Sequence, residues 1–316
     1  MNKARPFIKW VGGKNQLLGQ FENYYPNELR NGTITNYIEP FLGSGALFFA
    51  LSKQFKIEHA YLSDINKDLI LTYQVVKEVP EDLLDLLKLY QKKYDETEQN
   101  KRNDLFLSIR KDFNSQRLGI NYKKKSNKWI SRASQFIFLN KTCFNGLFRL
   151  NSRGEFNVPH GKYKAVTIFD ESNILAVSSA LQKAEIVCAD YTSCWDSANE
   201  NSFVYLDPPY RPISSTASFT TYTGTKFTDN EQLKLASFFQ KLDYQKKAKI
   251  MLSNSDPMNK NPQDDFFIKR YGNYKIFKIL AKRSINCNGN ERGKIKELLI
   301  TNYIHETSRR SMESYF

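Results

Sequence analysis

Short apolar runs alternate along the chain with segments in which apolar residues recur every three or four positions. The first pattern predicts buried strands, and the second predicts amphipathic helices. The predicted strands cover residues 35–42, 59–65, 185–189, 203–206 and 249–253. The predicted helices that alternate with them cover residues 46–54, 66–79, 171–181 and 229–242. Because strand, glycine turn, helix and strand follow in that order, we expect a parallel sheet of the α/β class.

Two further apolar runs, 274–280 and 296–304, have no strong helical pattern between them. Strands that follow each other without a crossover helix pair in antiparallel fashion. We therefore predict an antiparallel pair at one edge of the sheet.

The α/β alternation is interrupted between about residues 70 and 165. Helical patterns at 81–94, 104–114 and 128–139 are followed by two short apolar runs that flank the turn residues 151–154, which is typical of a β-hairpin with glycine in a left-handed conformation. We therefore predict two lobes and a loose tail. The predicted bounds are a catalytic domain of residues 1–70 and 168–306, an inserted domain of residues 71–167, and a C-terminal tail of residues 307–316.

Positive charge is concentrated in two stretches of the 316-residue chain, whose formal net charge is +14. Residues 117–164 contain eleven lysines and arginines and one acid. Residues 269–296 contain nine lysines and arginines and one acid. Because these two stretches carry more positive charge than the whole chain, the remaining residues are net acidic. Such clustering favours a polyanionic partner over a merely solvated basic surface.

Composition excludes several classes of protein. A hydrophobic fraction of 41% and an aromatic fraction of 14% exclude a disordered or collagen-like chain. No apolar run approaches the ~18 residues of a membrane span, and the first residues do not resemble a secretory signal. The four cysteines form no CxxC pair and the three histidines are isolated, so we expect neither a disulfide framework nor a metal site. These features indicate a reduced, soluble, cytoplasmic protein.

A glycine motif, Glu39-Pro40-Phe41-Leu42-Gly43-Ser44-Gly45, stands at the predicted carboxyl end of the first strand. Glycines there let the backbone approach a ligand at the place where open α/β sheets bind cofactors. Asp64 follows at the end of the second strand, where an acid typically binds the hydroxyls of a ribose. On these residues alone, structural turns in an unrelated α/β protein remain an alternative.

The segment Trp10-Val11-Gly12-Gly13-Lys14 is not a phosphate-binding loop, because Asn15 stands where such a loop needs serine or threonine. Trp10 and Lys14 could instead contact a nucleoside and a carboxylate. A buried core position for Trp10 is the alternative.

Asp207-Pro208-Pro209-Tyr210 directly follows the apolar run 203–206. The lone pair of an exocyclic amine on a nucleobase is delocalised into the ring. If Asp207 and the carbonyl of Pro208 each accept one N–H, the nitrogen becomes more tetrahedral and its lone pair can attack an electrophilic methyl group. Tyr210 offers a face on which the base can stack.

With these motifs, the chain resembles the Dam-type DNA adenine-N6 methyltransferases, in the group that carries its recognition domain between the FxGxG and DPPY motifs. The resemblance covers most of residues 5–303. It rests on motifs at 7–14, 37–49, 62–66, 143–164, 189–191, 205–210, 216–223 and 282–303.

The resemblance implies a Rossmann-like, S-adenosylmethionine-dependent methyltransferase sheet with an inserted helical DNA-recognition domain that carries a β-hairpin. It implies Asp207, Pro208, Pro209 and Tyr210 as the catalytic motif. The implied cofactor site comprises Trp10, Lys14, Phe41, Gly43, Gly45, Asp64, Asp190, Tyr191 and Asp207. In it Lys14 would pair with the methionine carboxylate, Phe41 and the two glycines would form the floor, and Asp190 and Tyr191 would border the adenine.

The resemblance also implies a set of DNA contacts, within a GATC sequence in double-stranded DNA. Arg149 would bind guanine, Leu147 and Pro159 would contact thymine, and Phe144 would wedge between bases. Asn145 would contact another base edge, and Asn157 belongs to the same hairpin.

Alternative functions are methylation of another planar amine (cytosine N4, RNA adenine or a protein glutamine) and a non-catalytic DNA-binding regulator. Asp at position 207, rather than Ser or Asn, favours adenine, and the basic insertion favours DNA.

We further expect no membrane partner, a monomer or weak dimer, a nucleoid-associated location in a bacterium or phage, and a cognate restriction endonuclease encoded nearby.

Overall fold

A computed structural model describes residues 4–211, 227–282 and 294–304. Within these residues seven strands form one sheet in the order β3-β2-β1-β4-β5-β7-β6. The strands are β1 Asn36–Glu39, β2 His59–Asp64, β3 Ala184–Cys188, β4 Ser202–Leu206, β5 Lys249–Ser255, β6 Lys275–Lys282 and β7 Lys294–Thr301. The first five strands are mutually parallel, whereas β7 runs antiparallel to both β5 and β6. The α/β class and the antiparallel pair at the sheet edge are therefore confirmed.

The strand order places a crevice at one point of the sheet. From β1 the chain continues to β2 on one side, and it returns later to β4 on the other side of β1. Open α/β sheets bind ligands at such a switch point, beyond the carboxyl ends of the strands. Here the carboxyl ends are Glu39 of β1 and Leu206 of β4, and Asp207 follows the latter directly.

Helices cover the sheet and make up the inserted region. The α-helices are α1 Leu18–Phe21, α2 Asn27–Arg30, α3 Ala46–Gln54, α4 Lys67–Glu78, α5 Pro80–Glu96, α6 Arg102–Gln116, α7 Asn127–Thr142, α8 Glu171–Leu181, α9 Asp229–Lys241 and α10 Phe266–Tyr271. The predicted helices within residues 46–142, at 171–181 and at 229–242 are confirmed within a few residues. The short helices α1, α2 and α10 were not predicted.

Alternate residues of the strands point to two separate hydrophobic cores. Tyr37, Phe203 and Leu299 belong to the core that also contains side chains of α3 to α8. Their neighbours Ile38, Val204 and Ile300 belong to the core formed with α9 and α10. The sheet therefore lies between two layers of helices, which explains why its strands are apolar on both faces.

The predicted boundary between residues 70 and 71 lies inside α4. Helices α5 to α7 share one continuous core with the sheet, and a buried ion pair joins α7 to α4. Arg132, which is 2% exposed, binds both carboxylate oxygens of Asp68 at 2.8 and 2.9 Å. Tyr122 donates a third hydrogen bond to Asp68. The inserted region is thus tied to the helix that follows Asp64.

Three of the four cysteines, Cys143, Cys188 and Cys194, are free thiols, and Cys287 lies outside the described residues. Among the residues that the structure describes, no helix is long and apolar enough to cross a membrane. The predicted tail also lies outside the described residues.

Candidate active site

A cavity of about 820 Å³ opens at the carboxyl ends of β1 and β4. It brings together residues as far apart in the sequence as Trp10 and Glu297. The predicted cofactor and catalytic residues that line it are Trp10, Lys14, Phe41, Gly43, Asp64, Asp190, Tyr191, Asp207, Pro208, Pro209 and Tyr210.

Asp207 sits between a lysine and a serine. Lys14, at the start of the short 3-10 turn Lys14–Gln16, places its Nζ 2.8 Å from Oδ2 of Asp207. Ser253 of β5 donates a hydrogen bond of 2.8 Å to Oδ1. The ammonium of Lys14 also donates to the carbonyl of Gly12 and lies 4.7 Å from the centre of the Tyr210 ring. Lys14 therefore contacts both ends of the DPPY motif.

A second acid lies in the floor of the cavity, at the end of β1. Glu39 is 3% exposed and accepts a hydrogen bond of 2.9 Å from the hydroxyl of Tyr37. Burial, partly offset by the Tyr37 bond and reinforced by the nearby negative charge of Asp207, raises the pKa of Glu39 to about 8. The Glu39 side chain is therefore mostly uncharged near neutral pH.

The glycine turn after β1 binds the acid at the end of β2. The backbone N–H of Gly43 donates to Oδ2 of Asp64 at 3.1 Å, and the N–H of Asn66 donates to Oδ1 at 2.9 Å. Burial raises the pKa of Asp64 despite these bonds. The two carboxylate oxygens offer about four acceptor sites in all. The backbone N–H groups of Gly43, Ile65 and Asn66 fill at most three of them, so Asp64 keeps an acceptor site for a ligand.

Two glycines of this turn have different surroundings. Gly43 has a φ of +48°, and a Cβ there would lie 2.8 Å from Cδ1 of Trp10. Gly45 has a φ of +65° and caps α3, and a Cβ there would meet Tyr73 and Phe49. Gly45 is not among the residues that line the cavity, so it shapes the turn from behind and does not form the floor itself.

Part of the cavity wall is aromatic. The rings of Phe41 and Tyr191 stack with centroids 5.5 Å apart, and Phe227 meets the edge of Phe41 at 6.2 Å. Asp190 is exposed beside them, and it caps the turn Tyr191–Trp195 by accepting a hydrogen bond from the N–H of Thr192. Flat apolar faces beside an exposed acid suit a planar heterocycle with an amino group.

The DPPY loop is held by residues of α9, β5 and β7. Gln232 of α9 donates to the carbonyl of Pro209, and Asn254 of β5 donates to Gln232 and accepts from the N–H of Arg211. The hydroxyl of Tyr210 donates to Oε2 of Glu297, on β7, at 2.6 Å. The loop is therefore rigidly placed over the cavity.

The β-hairpin predicted around residues 151–154 is confirmed as a short antiparallel pairing. Leu150 lies opposite Phe156, the N–H of Asn157 donates to the carbonyl of Arg149, and Gly154 in the turn has a φ of +74°. Nε of Arg149 donates to Oδ1 of Asn157 at 2.8 Å.

The remaining candidate DNA-contacting residues lie next to this hairpin. Phe144 is 50% exposed, and Asn145 beside it has a φ of +54°. The N–H of Phe144 donates to the carbonyl of Pro159, which is exposed, whereas Leu147 is half-buried. The six candidates therefore lie on two neighbouring segments of the chain, 144–149 and 157–159, which hydrogen bonds join.

Trp10 connects this hairpin to the cavity. Its ring stacks on Phe148 with centroids 5.8 Å apart, and it closely covers Gly43. Phe148 lies between Leu147 and Arg149 in the sequence. The half-buried Trp10 therefore packs between the hairpin and the glycine turn. It differs from both earlier alternatives, a fully buried core position and a side chain that contacts only a ligand.

The sequence alone did not single out Glu39, Ser253, Glu297 and Phe227 as site residues. Glu39 stands inside the quoted glycine motif and Ser253 at the end of a predicted strand, so both carried a positional signal. Glu297 and Phe227 carried none, because their positions depend on how distant segments fold together.

The motif at 216–223 and much of the one at 282–303 lie outside the described residues. Among the described residues, no group of histidine, cysteine or acidic side chains could hold a metal ion.

Comparison with known proteins agrees with this geometry. Residues 10–285 match the family described as D12 class N6 adenine-specific DNA methyltransferase. The chain is 44% identical to the Type II methyltransferase M.MjaIII of Methanocaldococcus jannaschii, over 95% of the chain and 100% of that protein. It is 36% identical to the Type II methyltransferase M1.LlaDCHI of Lactococcus lactis subsp. cremoris and 33% identical to the DNA adenine methylase of Escherichia coli K12, in both cases over 95% of each chain. The chain therefore belongs to the D12 class of N6 adenine-specific DNA methyltransferases.

Proposed function

We propose that this DNA methyltransferase uses S-adenosylmethionine to methylate N6 of an adenine that is flipped out of double-stranded DNA, within the sequence GATC. The observation that carries the proposal is the position of Asp207 and Tyr210 at the wall of a cavity that also contains Asp64 and the glycine turn. An amine acceptor, a stacking face and a nucleoside site then lie within one cavity.

The residues present fit the proposed cofactor. S-adenosylmethionine is a cation at sulfur, and Asp64 and Asp207 supply carboxyl groups around the cavity. Asp64 keeps an acceptor site for a ribose hydroxyl, Lys14 offers an ammonium for the methionine carboxylate, and the aromatic wall of Phe41 and Tyr191 suits the adenine. When bound, the cofactor supplies an electrophilic methyl group.

The chain's own residues would prepare the attacking nitrogen. Asp207 and the carbonyl of Pro208 each accept one N–H of the adenine amine, which localises the nitrogen lone pair. Tyr210 supports the base from its face. After transfer, the nitrogen loses a proton to water or to Asp207, so no separate general base is needed.

The hairpin is proposed to read the DNA sequence, and residues 71–167 are proposed to form the recognition domain. Because Asn157 holds Nε of Arg149, the two terminal nitrogens of the guanidinium remain for O6 and N7 of a guanine. Leu147 and Pro159 would contact thymine, Asn145 another base edge, and Phe144 would wedge between bases. The net charge of the surrounding stretch favours binding to phosphates.

Other planar amines remain the alternative substrates for the same site chemistry, but the family favours adenine in DNA. A purely binding role is disfavoured because the cofactor loop and the DPPY motif are both intact.

Two relatives are named Type II methyltransferases, which supports a partner restriction endonuclease. We expect a monomer or weak dimer.

The test is to incubate the protein with S-adenosylmethionine and unmethylated plasmid, and then to digest the DNA with two nucleases. One nuclease requires unmethylated GATC and the other requires methylated GATC. Resistance to the first and cutting by the second are expected. Methyl label in the DNA without either change would contradict GATC, and no label in DNA would contradict the proposed substrate.

A further inference from the structure

Tyr210 is held by a carboxylate that comes from a distant strand. Its hydroxyl donates a hydrogen bond of 2.6 Å to Oε2 of Glu297. Glu297 lies in β7, opposite Ser255 of β5 and Ile279 of β6, and it also lines the cavity. The antiparallel part of the sheet therefore contacts the proposed catalytic loop through the Glu297 side chain.

The backbone next to Tyr210 is fixed independently of this bond. Arg211 binds Asp229 and Asp264 through its guanidinium at 2.7 and 2.6 Å, and its N–H donates to Asn254. These contacts place the main chain but leave the rotation of the Tyr210 ring about its side-chain bonds undetermined. The ring itself contacts Lys14, whose ammonium lies 4.7 Å from its centre.

Lys14 is a weak anchor for the ring. Its ammonium is shared among Asp207, the carbonyl of Gly12 and the Tyr210 face, and we propose that it also binds the cofactor's carboxylate. The hydrogen bond to Glu297 is short and directional, so it restrains the orientation of the ring more tightly than the cation does.

We infer that Glu297 is a positioning residue that fixes the ring of Tyr210 as the stacking surface for the flipped adenine. This inference rests on the proposed role of Tyr210. Glu297 supplies an acceptor oxygen beside the Tyr210 hydroxyl. Its effect therefore depends on accepting a hydrogen bond and not on its charge. Burial raises the pKa of Glu297, which agrees with a carboxyl that acts locally within the cavity wall.

The experiment compares four variants of the full chain in steady-state methylation of plasmid DNA. Glu297→Leu and Tyr210→Phe each remove the bond, and each should lower kcat by about 10- to 100-fold. The affinity for S-adenosylmethionine should stay within about threefold, because both variants keep Lys14, Asp64 and the Phe41–Tyr191 pair. The double variant should lose no more than either single variant, since one interaction is removed in all three. Glu297→Gln should recover most of the activity because its amide oxygen can accept the same bond.

A fluorescent adenine analogue at the target position reports on stacking directly. In the wild-type complex the flipped analogue should be quenched by the Tyr210 face, and Glu297→Leu should increase its fluorescence. Glu185→Leu removes an exposed carboxylate from β3, outside the cavity, and should leave kcat and fluorescence unchanged.

Each result has a separate meaning. Wild-type protein that transfers no label to DNA would overturn the proposed function. Label transfer by the wild type together with an unchanged kcat in Glu297→Leu would overturn only the role of Glu297. Losses that multiply in the double variant, or a Glu297→Gln variant as impaired as Glu297→Leu, would also overturn it.

Discussion

The ammonium of Lys14 lies 2.8 Å from Oδ2 of Asp207, and the two side chains are only 6% and 18% exposed. One residue is proposed to bind the cofactor's carboxylate, and the other is proposed to bind the target amine. Their contact means that the cofactor site and the amine site share a single cation. Removing that cation should therefore affect both functions.

Lys14→Met is expected to weaken binding of S-adenosylmethionine by at least about tenfold, because a charge-assisted contact contributes roughly 1.5–3 kcal/mol. It should also lower kcat, since Asp207 loses its ion pair. Calorimetric titration with the cofactor and single-turnover methylation measure the two effects. The matched control is Lys56→Met, which removes an exposed lysine that pairs with Glu58. Equal cofactor affinity in the two variants would contradict the assignment of Lys14.

Asp207→Ala is expected to abolish methyl transfer, because no other side chain is proposed to accept the amine hydrogens. Affinity for GATC-containing DNA should change by no more than about threefold, since phosphate and base contacts come from elsewhere. Label transfer and fluorescence anisotropy with duplex DNA measure the two effects. Asp196→Ala, at an exposed acid, should transfer methyl normally. Full activity in Asp207→Ala would refute the mechanism.

Comparing Gly43→Ala with Gly32→Ala separates the effect of backbone strain on stability from the effect of a changed cofactor site on binding. Gly43 and Gly32 both have a positive φ, but a Cβ at Gly43 would lie 2.8 Å from Trp10, whereas nothing lies within 4 Å of one at Gly32. Both substitutions should cost about 1–3 kcal/mol of folding free energy from strain. Only Gly43→Ala should also weaken cofactor binding, because Trp10 must move. Urea denaturation and cofactor titration, made on both variants, test this, and equal cofactor affinity would contradict it.

Arg149→Ala is expected to lose about 1–3 kcal/mol of discrimination at one guanine of the recognition sequence. The control is Arg153→Ala, four positions along the same hairpin, where the arginine pairs with Glu155 and its side chain is 78% exposed. That variant should keep its sequence preference. Competition between duplexes with single base changes measures the preference. If Arg149→Ala discriminates as well as the wild type, the hairpin does not read the sequence as proposed.

Most of the fold could be predicted because the spacing of apolar residues and the positions of glycines determine local structure. The run 203–206 is apolar on both faces of a central strand, and Gly43 and Gly45 mark the turn that begins α3. Local signals also placed Asp64 and Asp207 at strand ends. Asp64 ends β2 and Asp207 follows β4, and these strands lie on either side of β1, so both acids stand at the same edge of the parallel sheet.

The contacts between distant segments could not be predicted in this way. The bond between Tyr210 and Glu297 depends on β7 entering the sheet between β5 and β6, which no local pattern encodes. The pairing of Lys14 with Asp207 joins residues 193 positions apart. The α4–α7 link through Arg132 likewise depends on packing of the inserted helices, so a domain boundary drawn from composition fell within α4.

The buried carboxyl of Glu39 makes a prediction about stability. Its pKa in the folded protein is about 8, compared with 4.5 as its ordinary value, chiefly because of burial. Below pH 4.5 it is protonated in both states. As the pH rises from 4.5 to 8 the unfolded chain releases the proton while the folded protein retains it, so folding becomes less favourable. Within this window Glu39 should lower the free energy of unfolding by up to about 1.4 kcal/mol for each pH unit.

Glu39→Gln removes this titration and keeps an oxygen that can accept the Tyr37 bond. The variant should therefore gain stability relative to the wild type as the pH rises from 5 to 8, as measured by thermal unfolding at several pH values. Glu58→Gln is the control: Glu58 is exposed and its bond to Lys56 lowers its pKa, so it is ionised throughout this range in both states. Its difference from the wild type should not vary with pH. A constant difference for Glu39→Gln as well would mean that Glu39 is already ionised at neutral pH, and that the floor of the cavity carries a negative charge facing Asp207.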